Sequence, residues 1–488
     1  MRRRDFLKLA SLSITTALTR KVMASQRQPN VLFIALDDLN DWIKLLSPSA
    51  PIQTPNIERL ARRGTLFTRA YCASAACNPS RTSILTGLRP TTSGVYGNQS
   101  DWRRALPDAV TVPQHFKASG YRTEGAGKIF HHHYGGAFHD KASFDDFLMM
   151  PDPPDAPMPE KKLNGLAKYG SPNTDWGPWP ADEAKALDVR TANYVIKSLS
   201  RKHKRPFFLA AGIFRPHMPF FAPQRFFDFY PPDNVVMPNI LEGDTDDLPS
   251  GAGKLLSPKK WFFRDLMEIE AKSPGTWQEA VRSYQACATF ADAQVGRILD
   301  ALDNSPYADN TIIVLWSDHG YHLGEKEHWE KFALWEKTNH IPFIIVAPDI
   351  THLRRGHPGT RCERPVSLVD IYPTLIELCG LEPKPELDGI SLVPLLRDPD
   401  AKWERPALMT YQRGNHAVRD ERWRYIRYAD GTEELYDHSN DPNEWYNVAG
   451  NPKNAEVIRR LKRWLPKTEA LPAPDLKRPD MPTKVRKK

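Results

Sequence analysis

Two groups of residues near the N-terminus have the types and spacing that an active site needs. Asp37 and Asp38 end the apolar run at residues 31–36, and Cys77 begins the pentapeptide C-N-P-S-R at residues 77–81. The apolar run predicts a buried strand of a parallel sheet, and open α/β sheets bind ligands at the carboxyl ends of such strands. Adjacent carboxylates repel each other in a dry site, so the aspartate pair predicts a bound cation.

Further polar side chains follow other predicted strands or loops. A short helix is predicted from Arg81, the last residue of the pentapeptide, to its end at Gly87. Four more segments carry candidate site residues, namely Lys128 with His131, His217, Asp318 with His319, and Lys331. Any one of these residues alone could belong to the surface or the core. Five segments beside the strand ends of one parallel sheet are instead expected to meet at one edge.

The C-x-P-S-R segment with its T-G helix end resembles the maturation motif of the sulfatases of the alkaline-phosphatase superfamily. The resemblance covers about residues 29–447, and the G-K-I-F-H segment, the R-P-H-M-P-F segment and His319 are most similar to the iduronate-2-sulfatase group. It implies that a formylglycine-generating maturation enzyme oxidises Cys77 to Cα-formylglycine. It also implies one bound Ca²⁺, held with residue 77 by Asp37, Asp38, Asp318 and His319. The histidine nitrogen departs from the oxygen ligands that calcium prefers.

The same resemblance implies a role for each cationic residue near the reacting sulfate. Lys128 and Lys331 neutralise the negative charge of the ester in the transition state, together with the metal. Arg81 and the metal lower the pKa of the hydrated aldehyde at residue 77, and Asp318 acts as its base. The hydrate keeps a second hydroxyl, which explains why a modified cysteine would serve better than serine here.

Two histidines take the remaining proton transfers in this interpretation. His217, aided by Lys331, protonates the departing sugar oxygen, and His131 removes the proton that allows sulfate to leave residue 77. The implied substrate is a sulfate ester on an acidic oligosaccharide or polysaccharide, with iduronate 2-sulfate as the choice at family level. Two alternatives stay open: a formylglycine-dependent phosphonate or phosphodiester hydrolase, and an inactive protein that binds sulfated glycans.

Strands and helices alternate along most of the chain. Strands are predicted at residues 31–36, 206–212, 311–316 and 342–347, and helices at 56–64, 182–199 and 285–302. This order predicts an α/β domain over residues 25–395, with a mostly parallel central sheet covered by helices on both faces. Short strands at 407–411, 417–419, 423–428 and 434–437 and a terminal helix at 453–465 predict a smaller antiparallel subdomain over 396–470. A basic tail rich in proline and lysine follows at 471–488.

The first 24 residues are expected to be a leader. They contain R-R-R-D-F-L-K, which resembles the twin-arginine export motif, an apolar stretch and an A-x-A-type cleavage site. We therefore expect export by the Tat machinery to the periplasm or the extracellular space, without stable membrane insertion after cleavage. The mature chain keeps 61 of the 67 basic and 58 of the 59 acidic residues. Its net charge of +3 gives little support for nucleic-acid binding.

Five cysteines are an odd number for an exported chain. If Cys77 is modified, Cys72, Cys287, Cys362 and Cys379 remain. Cys362 and Cys379 could pair, and buried thiols are the equal alternative.

Overall fold

A computed structural model describes residues 28–131, 138–150, 158–256, 260–348 and 359–476. The predicted leader and residues 477–488 of the predicted tail lie outside the described residues. In chain order the strands are β1 (Asn30–Asp37), β2 (Thr65–Phe67), β3 (Ala70–Tyr71), β4 (Arg122–Gly127), β5 (Asp146–Leu148), β6 (Trp176–Pro178), β7 (Phe207–Pro216), β8 (Phe220–Ala222), β9 (Thr311–Ser317), β10 (His322–Leu323), β11 (Trp329–Glu330), β12 (Phe343–Val346), β13 (Thr360–Cys362), β14 (Val366–Ser367), β15 (Ala407–Thr410), β16 (His416–Arg419), β17 (Trp423–Arg427) and β18 (Glu433–Asp437).

The α-helices of the described ranges follow the same order. They are α1 (Pro55–Ala61), α2 (Cys77–Thr86), α3 (Pro90–Ser93), α4 (Trp102–Ala105), α5 (Val112–Ala118), α6 (Leu187–Leu199), α7 (Gln224–Phe227), α8 (Ser250–Leu256), α9 (Lys260–Glu270), α10 (Thr276–Asp303), α11 (Glu336–Asn339), α12 (Ile371–Leu378), α13 (Val393–Arg397) and α14 (Ala455–Lys462). Among the described residues, none of the helices has both the length and the apolar character that a membrane span requires.

The central sheet confirms the predicted α/β class. Its eight strands lie in the order β13-β2-β12-β9-β1-β7-β4-β5, and all neighbours are parallel except where β12 runs antiparallel to β2 and β9. A four-stranded antiparallel sheet, β15-β16-β17-β18, follows near the C-terminus, as predicted. The three strands β1, β7 and β9 at the centre of the large sheet therefore all end at the same edge.

Strand β1 divides the interior into two cores because successive side chains of a strand point to opposite faces. Leu32, Ile34 and Leu36 pack on one face with residues of α1, α6 and α10. Val31 and Phe33 pack on the other face with residues of α2, α5 and α12. Every residue of β1 is buried, which is why its sequence is a continuous apolar run.

Several element boundaries differ from the predictions. Helix α2 begins at Cys77, whereas we predicted a helix that starts at Arg81. Helix α10 starts at Thr276, well before the predicted start at residue 285, because its buried face continues through Ala280, Val281 and Tyr284. Residues 183–185 form a separate 3₁₀ turn before α6, and the side chain of Asp182 accepts the Ala184 amide there.

The last described residues lie along α3 and the loop that follows it. The amide of Ala470 donates to the Thr91 carbonyl at 2.8 Å, and the amide of Ala473 donates to the Gly94 carbonyl at 2.7 Å. The first residues of the predicted tail thus pack beside α3. All five cysteines are buried thiols, which favours that alternative over a disulfide between Cys362 and Cys379.

Candidate active site

The end of β1 brings two adjacent carboxylates to one place. Side chains of consecutive strand residues normally point apart, but Asp38 has a φ of 67°, which turns the chain at this residue. The hydroxyl of Tyr284, in α10, donates to the Asp38 carbonyl at 2.7 Å and accepts the Asn40 amide at 3.0 Å. Both carboxylates are buried, and Asp37 contacts Lys128 while Asp38 contacts Lys331.

Cys77 occupies the first turn of helix α2. The helix ends at Gly87, which has a φ of 72° and donates its amide to the Ser83 carbonyl at 2.8 Å, as the T-G pattern predicts. The Asn98 side chain caps the other end, accepting the Asn78 amide at 3.0 Å. The helix therefore presents the side chain of Cys77 at the positive end of its dipole, where negative charge is favoured.

Lys128 follows β4 at a close approach between two strands. Gly127 has a φ of 75°, and a β-carbon on it would lie 2.0 Å from the carbonyl oxygen of Gly212 in β7. Glycine is therefore required at position 127. The Lys128 amide donates to that same carbonyl at 3.0 Å, and its ammonium lies 3.6 Å from the Cys77 sulfur.

Lys331 lies in a tightly turned segment after β11. Its neighbours Glu330 and Phe332 have φ values of 81° and 78°, which are unusual for residues other than glycine. Its Nζ lies 2.8 and 3.1 Å from the two carboxylate oxygens of Asp38, and 3.3 Å from the Cys77 sulfur. Lys128 and Lys331 thus bracket residue 77, each paired with one carboxylate.

Asp318 and His319 follow β9 and are both completely buried. His319 places Nε2 3.2 Å from the Cys77 sulfur and Nδ1 3.2 Å from Asp38. Asp318 accepts Arg81 Nε through Oδ2 at 2.8 Å, and accepts the amides of Asp38 and His319 through Oδ1 at 3.2 and 3.0 Å. Its oxygens are therefore held by Arg81 and the backbone.

The two candidate histidines sit in different surroundings. His131 hydrogen-bonds the Cys77 side chain, and burial lowers its pKa to about 4 even though Cys77 opposes this shift. His217 follows β7, donates through Nδ1 to the Met218 carbonyl, and leaves Nε2 4.0 Å from Asp38. Its side chain is 26% exposed. One imidazole therefore faces residue 77 and the other borders the open side of the site.

The cations control the charge of residue 77. Burial acts to raise the pKa of the Cys77 thiol, but Lys128, Lys331 and His319 outweigh burial and hold that pKa well below its usual value. Burial likewise acts to raise the pKa of Asp37, and Lys128 holds it lower. Burial would lower the pKa of His319, but its acidic neighbours raise it to about 9. An anion at position 77 is therefore strongly stabilised.

Four side chains form a group that could hold a metal ion. The ligand atoms of Asp37, Asp38, Cys77 and His319 all lie within 4.8 Å of one another, and all four residues are buried. The Cys77 sulfur takes the place of the oxygen that a modified residue 77 would offer. Two carboxylates and one such oxygen suit a divalent cation, and the imidazole must be neutral to join them. Asp318 lies beside this group but is not one of the four.

A second group with metal-ligand chemistry is an ion-pair network instead. Glu336, His438 and Glu444 have ligand atoms within 4.8 Å of one another. Arg424 is completely buried between them, with its guanidinium 2.7 Å from Glu444 and also paired with Glu336. The positive charge that the two carboxylates need is thus supplied by an arginine.

Sequence patterns missed the residues that hold the site residues in place. Ser80 donates to the Asp318 carbonyl at 2.6 Å, and Ser317 accepts the Leu39 amide at 3.0 Å. Ser80 lies inside the quoted pentapeptide and Ser317 directly precedes Asp318, so the sequence around the candidate residues contained this signal. Tyr284 lies in the middle of a long helix, and no local pattern distinguishes it from a core tyrosine.

Comparison with known proteins decides the family. A family model described as sulfatase matches residues 29–381, and one described as N-sulphoglucosamine sulphohydrolase, C-terminal, matches residues 324–470. The chain belongs to the sulfatase family. This sulfatase is therefore a sulfuric ester hydrolase, as the sequence analysis predicted.

Individual relatives extend over most of this sulfatase. A sulfatase of Formosa agariphila is 39% identical over 494 residues, which cover 96% of this chain and 93% of the relative. Iduronate 2-sulfatase of Homo sapiens is 30% identical over 426 residues, which cover 78% and 74%. Among solved structures, a phosphonate monoester hydrolase from Silicibacter pomeroyi has a TM-score of 0.73 at 24% identity, covering 89% of this chain and 94% of that one. The last similarity shows the fold alone.

Proposed function

We propose that this sulfatase removes a sulfate ester from a sulfated glycan that contains uronic acid, with residue 77 as formylglycine and one calcium ion. The observation that carries the proposal is the convergence on Cys77. Its sulfur lies 3.6 Å from Lys128, 3.3 Å from Lys331 and 3.2 Å from His319. A nucleophile at this point would attack a sulfate whose oxygens face two ammonium groups.

Formylglycine and calcium would supply a hydrated aldehyde as nucleophile and a divalent charge on the sulfate oxygens. Asp37, Asp38 and His319 would hold the ion with residue 77, and Asp318 would lie beside it. Arg81 keeps Asp318 in place through the 2.8 Å bond, so Asp318 is oriented to accept a proton from residue 77. Lys128 and Lys331 would turn from their carboxylates toward the sulfate once a cation replaces them.

The two histidines suit opposite ends of the reacting ester. His217 borders the open side, where the sugar would leave, and its Nδ1 is fixed by the Met218 carbonyl. Its Nε2 can therefore carry a proton to the leaving oxygen. His131 contacts the side chain of residue 77 and is suited to take a proton there.

The substrate class rests on the relative named iduronate 2-sulfatase and on the G-K-I-F-H and R-P-H-M-P-F segments, through which the sequence resembles the iduronate-2-sulfatase group. We also propose that residues 1–24 direct export by the Tat machinery, so that the enzyme meets its glycan in the periplasm or outside the cell. The maturation enzyme would then act on the chain before export.

The test is a panel of matched oligosaccharides. We would compare a disaccharide that ends in 2-O-sulfated uronate with isomers sulfated at the 6-O or N position of the hexosamine, and with the corresponding phosphate ester. Preferential release of sulfate from the uronate supports the proposal. Preference for a hexosamine sulfate would overturn the substrate class, and preference for the phosphate ester would favour a phosphohydrolase.

A further inference from the structure

The backbone around Lys331 is held by a buried histidine that has no place in the sequence motifs. His328 is 2% exposed, and its Nε2 lies 2.7 Å from the carbonyl oxygen of Lys331. Because a carbonyl only accepts hydrogen bonds, Nε2 carries the proton. We propose that His328 is a positioning residue, which fixes the peptide of Lys331 so that its ammonium reaches the sulfate. This inference rests on the proposed role of Lys331.

The segment needs such support because its conformation is unfavourable. Glu330 and Phe332, on either side of Lys331, both have positive φ values, which are unfavourable for residues other than glycine. A conformation of this kind persists only where neighbouring groups determine it. The Phe332 amide donates to the Ala75 carbonyl at 3.1 Å, two residues before Cys77. Together with the bond from His328, it fixes the peptide group between Lys331 and Phe332 from both its carbonyl and its amide side.

The ring of His328 is itself locked by packing. It lies edge-on to His322, with centroids 5.2 Å apart, and edge-on to Trp335, at 6.3 Å. Trp335 is anchored in turn because its Nε1 donates to Glu434 of the small sheet at 2.8 Å. Because packing fixes the ring, its Nε2–H points at the Lys331 carbonyl. The contacts that position this carbonyl therefore begin at Glu434 in the small sheet and pass through Trp335 to His328.

The adjacent carbonyls are held in the same manner. Asn339 donates to the carbonyls of Ala333 and Trp335 at 3.2 and 2.7 Å, and Arg424 donates to that of Leu334 at 2.9 Å. Those bonds support the segment after the lysine. Among these contacts, the bond from His328 is the one that Lys331 itself accepts. His328 is therefore the position to test.

The experiment measures hydrolysis of a small aryl sulfate, which does not depend on the natural glycan. We expect His328→Leu to lower kcat by about 10- to 100-fold with little change in KM, because a displacement of about 1 Å can cost this much. His328→Gln places an amide N–H near the same carbonyl and should restore most of the loss. His115→Leu is the matched control, since His115 is also buried but lies on α5, where its Nδ1 is 3.3 Å from the Tyr372 hydroxyl.

A double mutant with Lys331 distinguishes a positioning role of His328 from a general loss of structure. In a Lys331→Met background, His328→Leu should change kcat/KM by less than about twofold, because the group it positions is gone. Equal effects in both backgrounds, or equal losses in His115→Leu and His328→Leu, would overturn the inference. If Lys331→Met alone has no effect, the proposed role of Lys331 fails instead. Crystal structures of His328→Gln and His328→Leu should show the Lys331 ammonium retained near Asp38 only in the first, whatever the activity.

Discussion

Arg81 and Asp318 form a completely buried ion pair, in which Nε of the guanidinium donates to Oδ2 at 2.8 Å. The same guanidinium donates to the carbonyl of Leu36 at 3.4 Å and to the carbonyls that follow β4. Arg81 thus joins the ends of β1, β4 and β9, which carry Asp37, Lys128 and Asp318. It supports the floor of the site without any exposed surface of its own.

We expect Arg81→Lys to reduce kcat/KM by about 100-fold or more, because an ammonium cannot donate to several acceptors at once as the planar guanidinium does. Losing these hydrogen bonds should also lower the free energy of unfolding, but by less than the about 3–5 kcal/mol that loss of a buried charge costs, because lysine keeps the positive charge. Kinetics on an aryl sulfate and urea unfolding measure the two effects. The control is Arg63→Lys, whose partner Asp303 is at the surface at 2.8 Å. Wild-type kinetics in Arg81→Lys would contradict this assignment.

Cys77→Ala should abolish turnover while the fold is retained. Cys77 lies at the start of α2, and its side chain is surrounded by cations, so its removal takes away the nucleophile without cutting an element. Mass spectrometry of the wild-type peptide should show the loss of one sulfur and two hydrogens and the gain of one oxygen. Thermal unfolding of the variant is the control for folding. Full activity with an unmodified Cys77 would disprove the proposed conversion.

Removal of the divalent ion should inactivate the enzyme, and Asp37→Asn should weaken metal binding. The four grouped ligand atoms include two carboxylates that need a cation, and an amide offers less negative charge. Elemental analysis before and after chelation, with calcium added back, checks the first expectation. Asp41→Asn is a matched control, because Asp41 is also buried but pairs with Lys337 at 2.9 Å. Active protein that contains no divalent ion would end this proposal.

The network around Arg424 should contribute strongly to stability. Arg424 is completely buried between Glu336 and Glu444, so Arg424→Met removes the cation that both carboxylates share and leaves Glu336 paired with Arg419 at 3.3 Å. We expect a loss of about 3 kcal/mol in the free energy of unfolding, at the lower end for a broken buried pair because Arg419 remains. Arg422→Met, two residues away, removes an exposed pair with Asp437 and should cost much less, because water screens that pair. Equal urea midpoints for both variants would refute this difference.

The sequence sufficed to predict which charged residues meet at one edge of the sheet, because these residues follow apolar runs directly. Asp37, Asp38 and Asp318 end the two central strands β1 and β9, and a parallel sheet brings such ends together. The fold class followed from the same runs. What brings adjacent Asp37 and Asp38 side by side is the positive φ of Asp38, and that turn is supported by Tyr284, far away in the chain.

Contacts between distant residues also explain why the start of helix α2 was predicted at the wrong residue. Helix α2 starts at Cys77 because Asn98, from a loop after the helix, accepts the Asn78 amide that a local cap would otherwise serve. The residue before Cys77 is Ala76, whose side chain cannot accept a hydrogen bond, so local rules could not locate this start. The proposed role of His328 could not be predicted from the sequence for the same reason, because it depends on the carbonyl that this buried histidine contacts in the fold.

The two histidines should differ in their response to the leaving group. His217 borders the open side and is expected to protonate the departing oxygen, whereas His131 contacts residue 77. An aryl oxygen leaves without much protonation, so aryl sulfates should rescue His217→Ala far more than His131→Ala. The measurement is kcat/KM of both variants on a series of aryl sulfates with leaving groups of rising pKa and on a sugar sulfate. His217→Ala should show the steeper dependence on leaving-group pKa, and equal slopes for both variants would reject this division of labour.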